Sequence, residues 1–361
     1  MIEKILLEHY YQYPLMRTQD FFKLLYQGEF GGAHACDISQ QNILTQIQNE
    51  INHIDEPCET ITVAQIISST QSRVNLVPFC EQNQNLETLA EMFLISAKSS
   101  LGSEENLEKK ISVFESLVKE KQILLPYLSV KSSAIKYLAD LKPLSHSSTY
   151  KLNYNPHYRV VRREFFDIFP IINRINSILH KKTICVAIDG NSGSGKSYYA
   201  NALKKYYGQI CNVFHADDFF LPVNMRTDER LSEIGGNIHY ERLTKLLEDI
   251  SKNNNFTYEK YNCQTNAYTK EFAIPKQLNI VEGVYSAHPN LAKKYDIIVK
   301  FGVNYHTQQK RLLGRSGEEI LEKYNKIWLP LEDKYFENYS FQNAINIVTD
   351  DKDLHTQDFN L

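Results

Sequence analysis

The amino-acid sequence predicts a doubly wound, mostly parallel α/β sheet in its second half, preceded by a mainly α-helical domain of unknown role. In the first half, apolar residues recur at helical spacing, as in Phe21, Phe22 and Leu25. From residue 183 onward, short apolar runs alternate with amphipathic segments, which is typical of βα units that build a parallel sheet. We therefore expect domains at residues 1–158 and 181–361, joined by a connecting helix at 159–180.

Three segments of the first half show this helical spacing, around Phe21, Leu89 and Phe114. Glycine or proline, which interrupt regular structure, separate them at Gly31-Gly32, Gly102 and Pro126. A further helix is expected at 163–179, broken at Pro170.

In the second half, the apolar runs predict strands at residues 183–188, 210–215, 278–282, 296–301 and 345–348. Amphipathic spacing predicts helices at 196–207, 240–250 and 306–313. Because doubly wound sheets bind ligands at the carboxyl ends of their strands, we expect the functional residues there.

The first of these strands leads into the segment GNSGSGKS at residues 190–197, which fits the phosphate-loop pattern G-x-x-x-x-G-K-[ST]. Glycine lets successive backbone N–H groups face phosphate oxygens, which a Cβ would hinder. The lysine reaches toward the β and γ phosphates, and the serine hydroxyl can ligate Mg²⁺. The alternative interpretation is a Gly/Ser-rich surface turn. We predict nucleotide binding by Gly190, Asn191, Ser192, Gly193, Ser194, Gly195, Lys196 and Ser197.

Acidic residues follow the next two strands of this half. Asp217 and Asp218 come after the strand at 210–215, where one carboxylate can accept a proton from a substrate hydroxyl and the other can hold Mg²⁺ through water. A helix N-cap followed by a solvated acid is the alternative. Glu282 closes the strand at 278–282, a position suited to Mg²⁺ or its water shell.

Arg311 and Arg315 lie four residues apart and therefore on one helix face. Two planar, bidentate donors closing over ATP can neutralise the charge of a transferring phosphoryl group. A solvated basic helix explains the spacing equally well.

Together, DGNSGSGKS at 189–197, DDFF at 217–220 and Glu282-Gly283 resemble the uridine kinase family of P-loop small-molecule kinases. This group also contains phosphoribulokinase and bacterial pantothenate kinase, and the resemblance covers roughly residues 180–350. It implies ATP-dependent phosphoryl transfer to a hydroxyl of a small metabolite, first of all a nucleoside, with ATP and Mg²⁺ as cofactors. The catalytic residues it implies are Asp217 as the base, Lys196, and Arg311 and Arg315 in a mobile lid.

The acceptor side carries a second resemblance. The segment GGNIHYER at 235–242 resembles one in bacterial uridine-kinase-like proteins, in which Asp is usual at the position of His239. The candidates for substrate binding are Asp218, Phe219, His239, Tyr240, Arg242, Tyr261 and Tyr285. Pantothenate-like or sugar acceptors are alternatives, as are a nucleotide-dependent switch that controls the helical domain and a bifunctional enzyme.

The helical half resembles the N-terminal half of bacterial two-domain proteins described only as uridine-kinase-like. Six of its polar residues are candidates for an anion or metabolite pocket, and one His with one Glu also suits a metal or acid–base pair. Ordinary capping and surface hydrogen bonding are the alternative. The six are Glu29, His34, Glu50, Arg73, His146 and Arg159.

Composition narrows the classes of partner. The formal net charge of −3 gives no indication of a nucleic-acid partner, and no apolar stretch is long enough to cross a membrane. Six cysteines without a C-x-x-C pair argue against a zinc site or a disulfide framework and fit a reducing cytoplasm, as does the lack of a signal-peptide pattern. We expect a small-molecule acceptor as the partner; a homo-oligomer is compatible with the sequence but not indicated by it.

Overall fold

The computed structural model describes residues 1–32, 37–54, 62–99, 102–341 and 343–349. Its backbone divides into two compact units, one that contains the chain up to Asp167 and one that begins at Ile168. Each unit has its own hydrophobic core.

The first unit is mainly helical, as the sequence predicts, and its described residues also form a three-stranded antiparallel sheet of order β1-β2-β3. The strands are β1 (Ala64–Ile66), β2 (Gln71–Asn75) and β3 (Tyr158–Arg162). The helices are α1 (Ile2–Gln12), α2 (Thr18–Phe30), α3 (Gln40–Asn52), α4 (Leu76–Glu81), α5 (Leu86–Lys98), α6 (Glu104–Lys119), α7 (Tyr127–Ala139), α8 (Ser148–Tyr154) and α9 (Arg163–Phe166).

Local sequence explains where several of these helices begin. The side-chain oxygen of Ser39, Asn85, Ser103 or Ser147 accepts a hydrogen bond from the backbone N–H three residues later. This bond satisfies one of the free amide donors of the first turn, so these residues act as N-caps. Helices α3, α5, α6 and α8 therefore start where the sequence supplies a capping residue.

Aromatic side chains form the centre of the first unit's core. The ring of Phe114 on α6 stacks on Phe21 with centroids 4.6 Å apart and meets Phe22 edge-on at 6.0 Å. All three residues are buried. The helical spacing of apolar residues in the sequence therefore marks the faces of α2 and α6 that pack against each other.

The second unit contains a five-stranded sheet of order β10-β9-β4-β8-β5 in which every pair of neighbours is parallel. A separate antiparallel hairpin joins β6 to β7. The strands are β4 (Ile184–Gly190), β5 (Cys211–His215), β6 (Phe256–Asn262), β7 (Ala267–Ala273), β8 (Leu278–Glu282), β9 (Ile297–Gly302) and β10 (Ile345–Val348). The helices are α10 (Phe169–Leu179), α11 (Lys196–Tyr207), α12 (Asp228–Ser232), α13 (Tyr240–Ser251), α14 (Pro289–Ala292), α15 (Tyr305–Lys323) and α16 (Leu329–Asn338).

The second unit has the P-loop NTPase fold that the sequence predicts. Strand β4 lies at the centre of the sheet, and β5, the next strand of this sheet along the chain, lies two places away at the edge. Strand β8 fills the place between them, so the carboxyl ends of β4, β8 and β5 are neighbours. Each predicted strand is present, with bounds that differ from the prediction by at most two residues.

Two helix predictions need correction. The predicted helix at 163–179 is interrupted between α9 and α10, before Phe169, rather than at Pro170. Proline has no amide hydrogen to donate, and Pro170 lies in the first turn of α10, where that donor is not needed. The helix predicted at 306–313 continues to Lys323, with a kink at Gly317, whose φ is +76°.

Four of the six cysteines lie in the described residues. Cys80, Cys185, Cys211 and Cys263 are free, whereas Cys36 and Cys58 lie outside the described residues. Cys185 is buried in β4, and burial raises the pKa of its thiol to about 12. In the described part of the chain, no helix has both the length and the apolar character required to cross a membrane.

The packing of Phe114 predicts its contribution to stability. Phe114→Ala removes a buried ring that contacts two others, so we expect the free energy of unfolding to fall by about 3–5 kcal/mol. Leu128→Ala on α7 is the control, because Leu128 is 80% exposed; its cost should stay within about 0.5 kcal/mol. Denaturant titration of the full chain measures both, and equal losses for the two variants would contradict this account of the core.

Candidate functional site

The predicted phosphate loop joins β4 to α11 at the centre of the sheet. Gly190, Gly193 and Gly195 have φ angles of +145°, +78° and +90°, which side chains with a Cβ rarely adopt. A Cβ at Gly190 would lie 2.1 Å from the carbonyl oxygen of Phe301 on the neighbouring strand β9. The loop therefore requires glycine at these positions, as the motif predicts.

Lys196 is buried beside the loop. Its Nζ donates hydrogen bonds to the carbonyl oxygens of Gly190 and Asn191, at 2.7 and 2.8 Å. Burial lowers the pKa of this ammonium group, and the surrounding carboxylates oppose that shift. The carboxylates that act on Lys196 belong to Glu332, Asp189, Glu282 and Asp217. One buried cation therefore stands among four acidic side chains at the carboxyl end of the sheet.

Asp189, the residue before the loop, is fully buried and accepts four hydrogen bonds. The donors are the backbone N–H groups of Gly190, Tyr285 and Ala287 and the hydroxyl of Tyr335, at 2.7–3.0 Å. Burial raises the pKa of this carboxyl group, against the effect of the hydrogen bonds and of Lys196. Asp189 thus fastens the end of β4 to the turn after β8 and to α16.

The predicted metal residues Ser197 and Glu282 lie side by side. The Ser197 hydroxyl donates to Glu282 Oε2 at 3.0 Å, and His215 Nδ1 lies 2.5 Å from Glu282 Oε1. The strand register explains this arrangement, because Ile188 of β4 and His215 of β5 both pair with Glu282 of β8. The hydrogen bond with Glu282 raises the pKa of His215.

Asp217 follows β5 in a 3₁₀ turn, Ala216–Phe219, and belongs to the same electrostatic cluster. Its pKa is raised, first by desolvation of the carboxylate and second by the negative charge of Glu282, while Lys196 opposes the shift. The structure therefore places this carboxylate within electrostatic reach of both the loop lysine and the strand-end glutamate.

A further acid at the phosphate loop was not predicted from the sequence. The Glu332 carboxylate on α16 accepts hydrogen bonds from the backbone N–H and the hydroxyl of Ser192, at 2.7 and 2.5 Å. Glu332 is buried, and burial raises its pKa. It lies 140 residues along the chain from Ser192, and no local pattern distinguishes it from the other acids of this helix.

Helix α15 supports the loop from its other side. Gln308 Nε2 donates to the Ser192 carbonyl oxygen at 2.8 Å, and Arg311 donates to the Gly193 carbonyl oxygen at 3.1 Å. Arg311 also donates to the carbonyl oxygen and hydroxyl of Thr349, and that hydroxyl donates to the Ser194 carbonyl oxygen. In this structure Arg311 therefore binds the polypeptide around the loop.

Arg315, the second predicted lid arginine, is exposed on α15 before the kink at Gly317. It donates a hydrogen bond of 2.6 Å to the hydroxyl of Tyr324. Burial raises the pKa of Tyr324, and the charges acting on this tyrosine include Glu332 and Asp217. Arg315 therefore contacts Tyr324, which follows α15 directly in the chain.

Three predicted acceptor-side residues, Asp218, Phe219 and Arg242, share one cluster. The Arg242 guanidinium lies 5.2 Å from the Phe219 ring centre and 4.8 Å from that of Tyr268. It also donates to the backbone carbonyl of Asp218 at 3.4 Å, and the Asp218 carboxylate lies 3.6 Å from Lys260 Nζ. This cluster brings charged groups and aromatic rings together directly after Asp217.

The other acceptor-side candidates occupy different environments. His239 contacts Glu241, and Tyr240 stacks on His288 and hydrogen-bonds with Arg230 and Glu233. Tyr261 and Tyr285 are buried. The Tyr261 hydroxyl donates to Asn266 within the hairpin, and Tyr285 has a φ of +68° in the turn that binds Asp189. These contacts account for Tyr261 and Tyr285 as structural residues.

The donor groups at the loop fit a hydrated magnesium ion bound to phosphate better than a protein-caged metal. Ser197 and Glu282 provide oxygen ligands of the kind that Mg²⁺ prefers. Among the described residues, no group of three or more His, Cys, Asp or Glu side chains is arranged to hold a metal by itself.

The six candidate residues of the first unit do not share one set of contacts. Glu29 binds Lys110 and the backbone of Ser103, while Glu50 pairs with Arg159. Arg73 and His146 share a buried hydrogen-bonded network through Tyr158 and Gln27. His34 lies outside the described residues.

No protein-family model and no curated protein match this chain. Its structural neighbours are P-loop kinases of the uridine kinase, phosphoribulokinase and glycerate kinase type. A protein from Bacillus stearothermophilus described as a possible uridine kinase is 20% identical, with 50% of this chain and 98% of that chain covered and a TM-score of 0.36. A D-glycerate 3-kinase from Cryptococcus neoformans is 13% identical, with 51% of this chain and 93% of that chain covered and a TM-score of 0.35. A candidate fructose transport system kinase from Silicibacter sp. TM1040 is 16% identical, with 46% of this chain and 90% of that chain covered and a TM-score of 0.39.

The contact between Glu332 and Ser192 predicts an effect on nucleotide affinity. Glu332→Gln removes a negative charge beside the phosphate loop, so MgATP should bind roughly tenfold more tightly. A tenfold change in affinity corresponds to about 1.4 kcal/mol, which is a modest energy for two charges that lie a few ångströms apart. Calorimetric titration with MgATP measures this change. Glu337→Gln on the same helix is the control, because Glu337 is exposed. Weaker binding by Glu332→Gln would show instead that the carboxylate organises the loop for the nucleotide.

Proposed function

We propose that this protein is an ATP-dependent kinase that transfers a phosphoryl group to a hydroxyl of a small metabolite, with a nucleoside as the leading acceptor class. The observation that carries the proposal is the position of Asp217 in the turn directly after β5, whose last residue pairs with Glu282 beside the end of β4. It joins the candidate acceptor base to the candidate phosphate and metal residues at neighbouring strand ends. This is the set of groups that phosphoryl transfer needs.

The loop fits the triphosphate of ATP on chemical grounds. The positive φ angles at residues 193 and 195 favour glycine, so the loop carries no side chain at these two positions. Helix α11 begins directly after the loop, at Lys196. Backbone amides at a helix start favour phosphate, because both the N–H groups and the helix dipole face the anion. Bound Mg²⁺ would neutralise part of the phosphate charge. Ser197 and Glu282 would hold this ion directly or through water.

Each remaining residue has a role that follows from its position. Lys196 is already buried, so it can exchange its two carbonyl partners for phosphate oxygens without new desolvation. Asp217, with its raised pKa, accepts the proton of the acceptor hydroxyl. Arg315 lies beside Tyr324 and can donate to the transferring group, while Arg311 orders the loop through Gly193 and Thr349.

The acceptor would lie next to Asp217, against the cluster of Asp218, Phe219 and Arg242. Aromatic rings with a guanidinium group favour a planar ring system, because such rings stack on both. This feature and the motif resemblance support a nucleoside ahead of pantothenate-like or sugar acceptors. His239, at the start of α13, donates its backbone N–H to the Phe219 carbonyl and so lies next to this cluster, whereas Tyr240 stacks on His288.

Loss of the loop lysine should weaken nucleotide binding. Lys196→Met removes the charge but keeps an unbranched side chain, so the affinity for MgATP should fall by roughly tenfold to a hundredfold, as expected when hydrogen bonds to a charged group are lost. Lys205→Met, at an exposed position of the same helix, is the matched control. Calorimetric titration measures both variants, and unchanged affinity in Lys196→Met would refute nucleotide binding at this loop.

Loss of the candidate base should separate transfer from binding. Asp217→Asn should lower kcat/KM by about 10²–10⁴, the usual contribution of a general base, without weakening MgATP binding. The assay measures ADP release with a panel of nucleosides, pantothenate and sugars. Asp228→Asn, at an exposed carboxylate of α12, serves as the control.

The pH profile gives a second readout for Asp217. Because its pKa is raised, protonation should remove the base, and the rate should fall, at a pH above the ordinary aspartate value of about 3.9. Acceptor-dependent ADP release that survives in Asp217→Asn would eliminate this residue as the base. If MgATP binds but no acceptor stimulates ADP release, a nucleotide-dependent switch becomes the better explanation.

A further inference from the structure

The sheet of the first unit has a buried face that carries polar side chains. Gln65 of β1 pairs with Arg73 of β2, and Asn75 of β2 pairs with Tyr158 of β3. Paired residues and alternate residues of a strand point to the same side, so these four share one face. Gln65, Arg73 and Asn75 are all buried. A buried sheet face normally carries apolar residues, so this one calls for another explanation.

A pocket opens on this polar face. All four of these side chains line it, and the other lining residues include the aromatic rings of Tyr13, Tyr150 and Tyr154. The rings contact one another, with centroid distances of 4.9–5.4 Å. The pocket therefore combines hydrogen-bonding groups from the sheet with a wall of tyrosine rings.

Arg73 is the charged group of this pocket, and it is 1% exposed. Its Nε and Nη2 donate to Gln27 Oε1 at 3.1 and 2.8 Å, and its guanidinium carbon lies 4.6 Å from the Tyr158 ring centre. Both partners are neutral. Within the part of the chain that the structure describes, no carboxylate pairs with Arg73. A buried charge without a counter-charge is unfavourable, so the pocket favours an anion.

The nearby acid is committed to other donors. Asp20 accepts hydrogen bonds from the backbone N–H groups of Arg17 and Ser147 and from the Ser147 hydroxyl, and it contacts His146 Nδ1 at 3.0 Å. Burial lowers the pKa of His146 to about 4, so this ring is neutral at pH 7. The positive charge of Lys23 also acts on His146. The carboxylate of Asp20 is therefore bound by other groups, and the hydrogen bonds of Arg73 go to the neutral side chain of Gln27.

We propose that this pocket, with a volume of about 30 Å³, binds a small carboxylate or phosphate anion that carries no ring, with the anion's oxygens on Arg73. The proposal does not depend on the kinase activity, because every residue that carries it belongs to the first unit. Carboxylate and phosphate share the planar, bidentate recognition that a guanidinium group provides, so both remain in the class.

Calorimetric titration of the full chain tests the proposal with acetate, inorganic phosphate and neutral acetamide as probes. The Lys196→Met background reduces any contribution from the phosphate loop of the second unit. We expect saturable binding of at least one anion at millimolar concentration and none of acetamide. Arg73→Met should weaken anion binding by roughly tenfold or more, the usual effect of losing a charge-assisted hydrogen bond. Arg159→Met is the matched control on β3, because Arg159 pairs with Glu50 instead.

Thermal unfolding of the unliganded variant distinguishes a ligand-binding arginine from a structural one. Because Arg73 lacks a charged partner, Arg73→Met should leave the melting temperature unchanged or raise it. If Arg73→Met fails to fold, the variant Gln65→Glu provides the test instead. This variant places a carboxylate directly across from Arg73, so it should abolish anion binding while the protein stays folded. The proposal is overturned by anion binding that persists in Gln65→Glu, or by a chain that binds neither anion.

Discussion

The candidate kinase site depends on one buried carboxylate, that of Asp189. A carboxylate that has lost its water must find other donors, and Asp189 finds four, from its own loop, from the turn after β8 and from α16. These bonds hold three segments that are distant in the sequence at one point beside the phosphate loop. The positive φ of Tyr285 is tolerated because its amide is needed there. The unfavourable φ of Tyr285 and the hydrogen bond from its amide to Asp189 therefore occur in the same turn.

Helix α16 links this anchor to the chemistry of the loop. Tyr335 and Glu332 are three residues apart and so share a face, from which Tyr335 reaches Asp189 and Glu332 reaches Ser192. A movement of this helix would therefore alter the anchor and the charge at the loop together. Helix α15 acts on the same loop through Gln308 and Arg311. The loop after β4 is thus bound by side chains from both α15 and α16.

The sequence was sufficient wherever the signal is local. The strand at 184–190, the glycines that follow it and the acids that end β5 and β8 are short patterns with a direct physical meaning. The contacts of Glu332, Gln308 and Thr349 join residues more than 100 positions apart, and nothing in their own segments marks them. The sheet of the first unit escaped prediction for a different reason. Its central strand, Gln71–Asn75, is buried but polar, so it lacks the alternation that identifies a strand.

The two sheets show where each kind of ligand can approach. In the second unit, the central strands β4 and β8 are buried along their whole length, so polar groups accumulate at the strand ends and ligands can meet the sheet only there. In the first unit, Gln65, Arg73 and Asn75 occupy a sheet face, and the tyrosines leave a pocket above it. Burying such side chains costs stability unless each is satisfied. Gln27 and Thr62 satisfy part of this set, and the buried charge of Arg73, whose partners among the described residues are neutral, sets the pocket apart from an ordinary core.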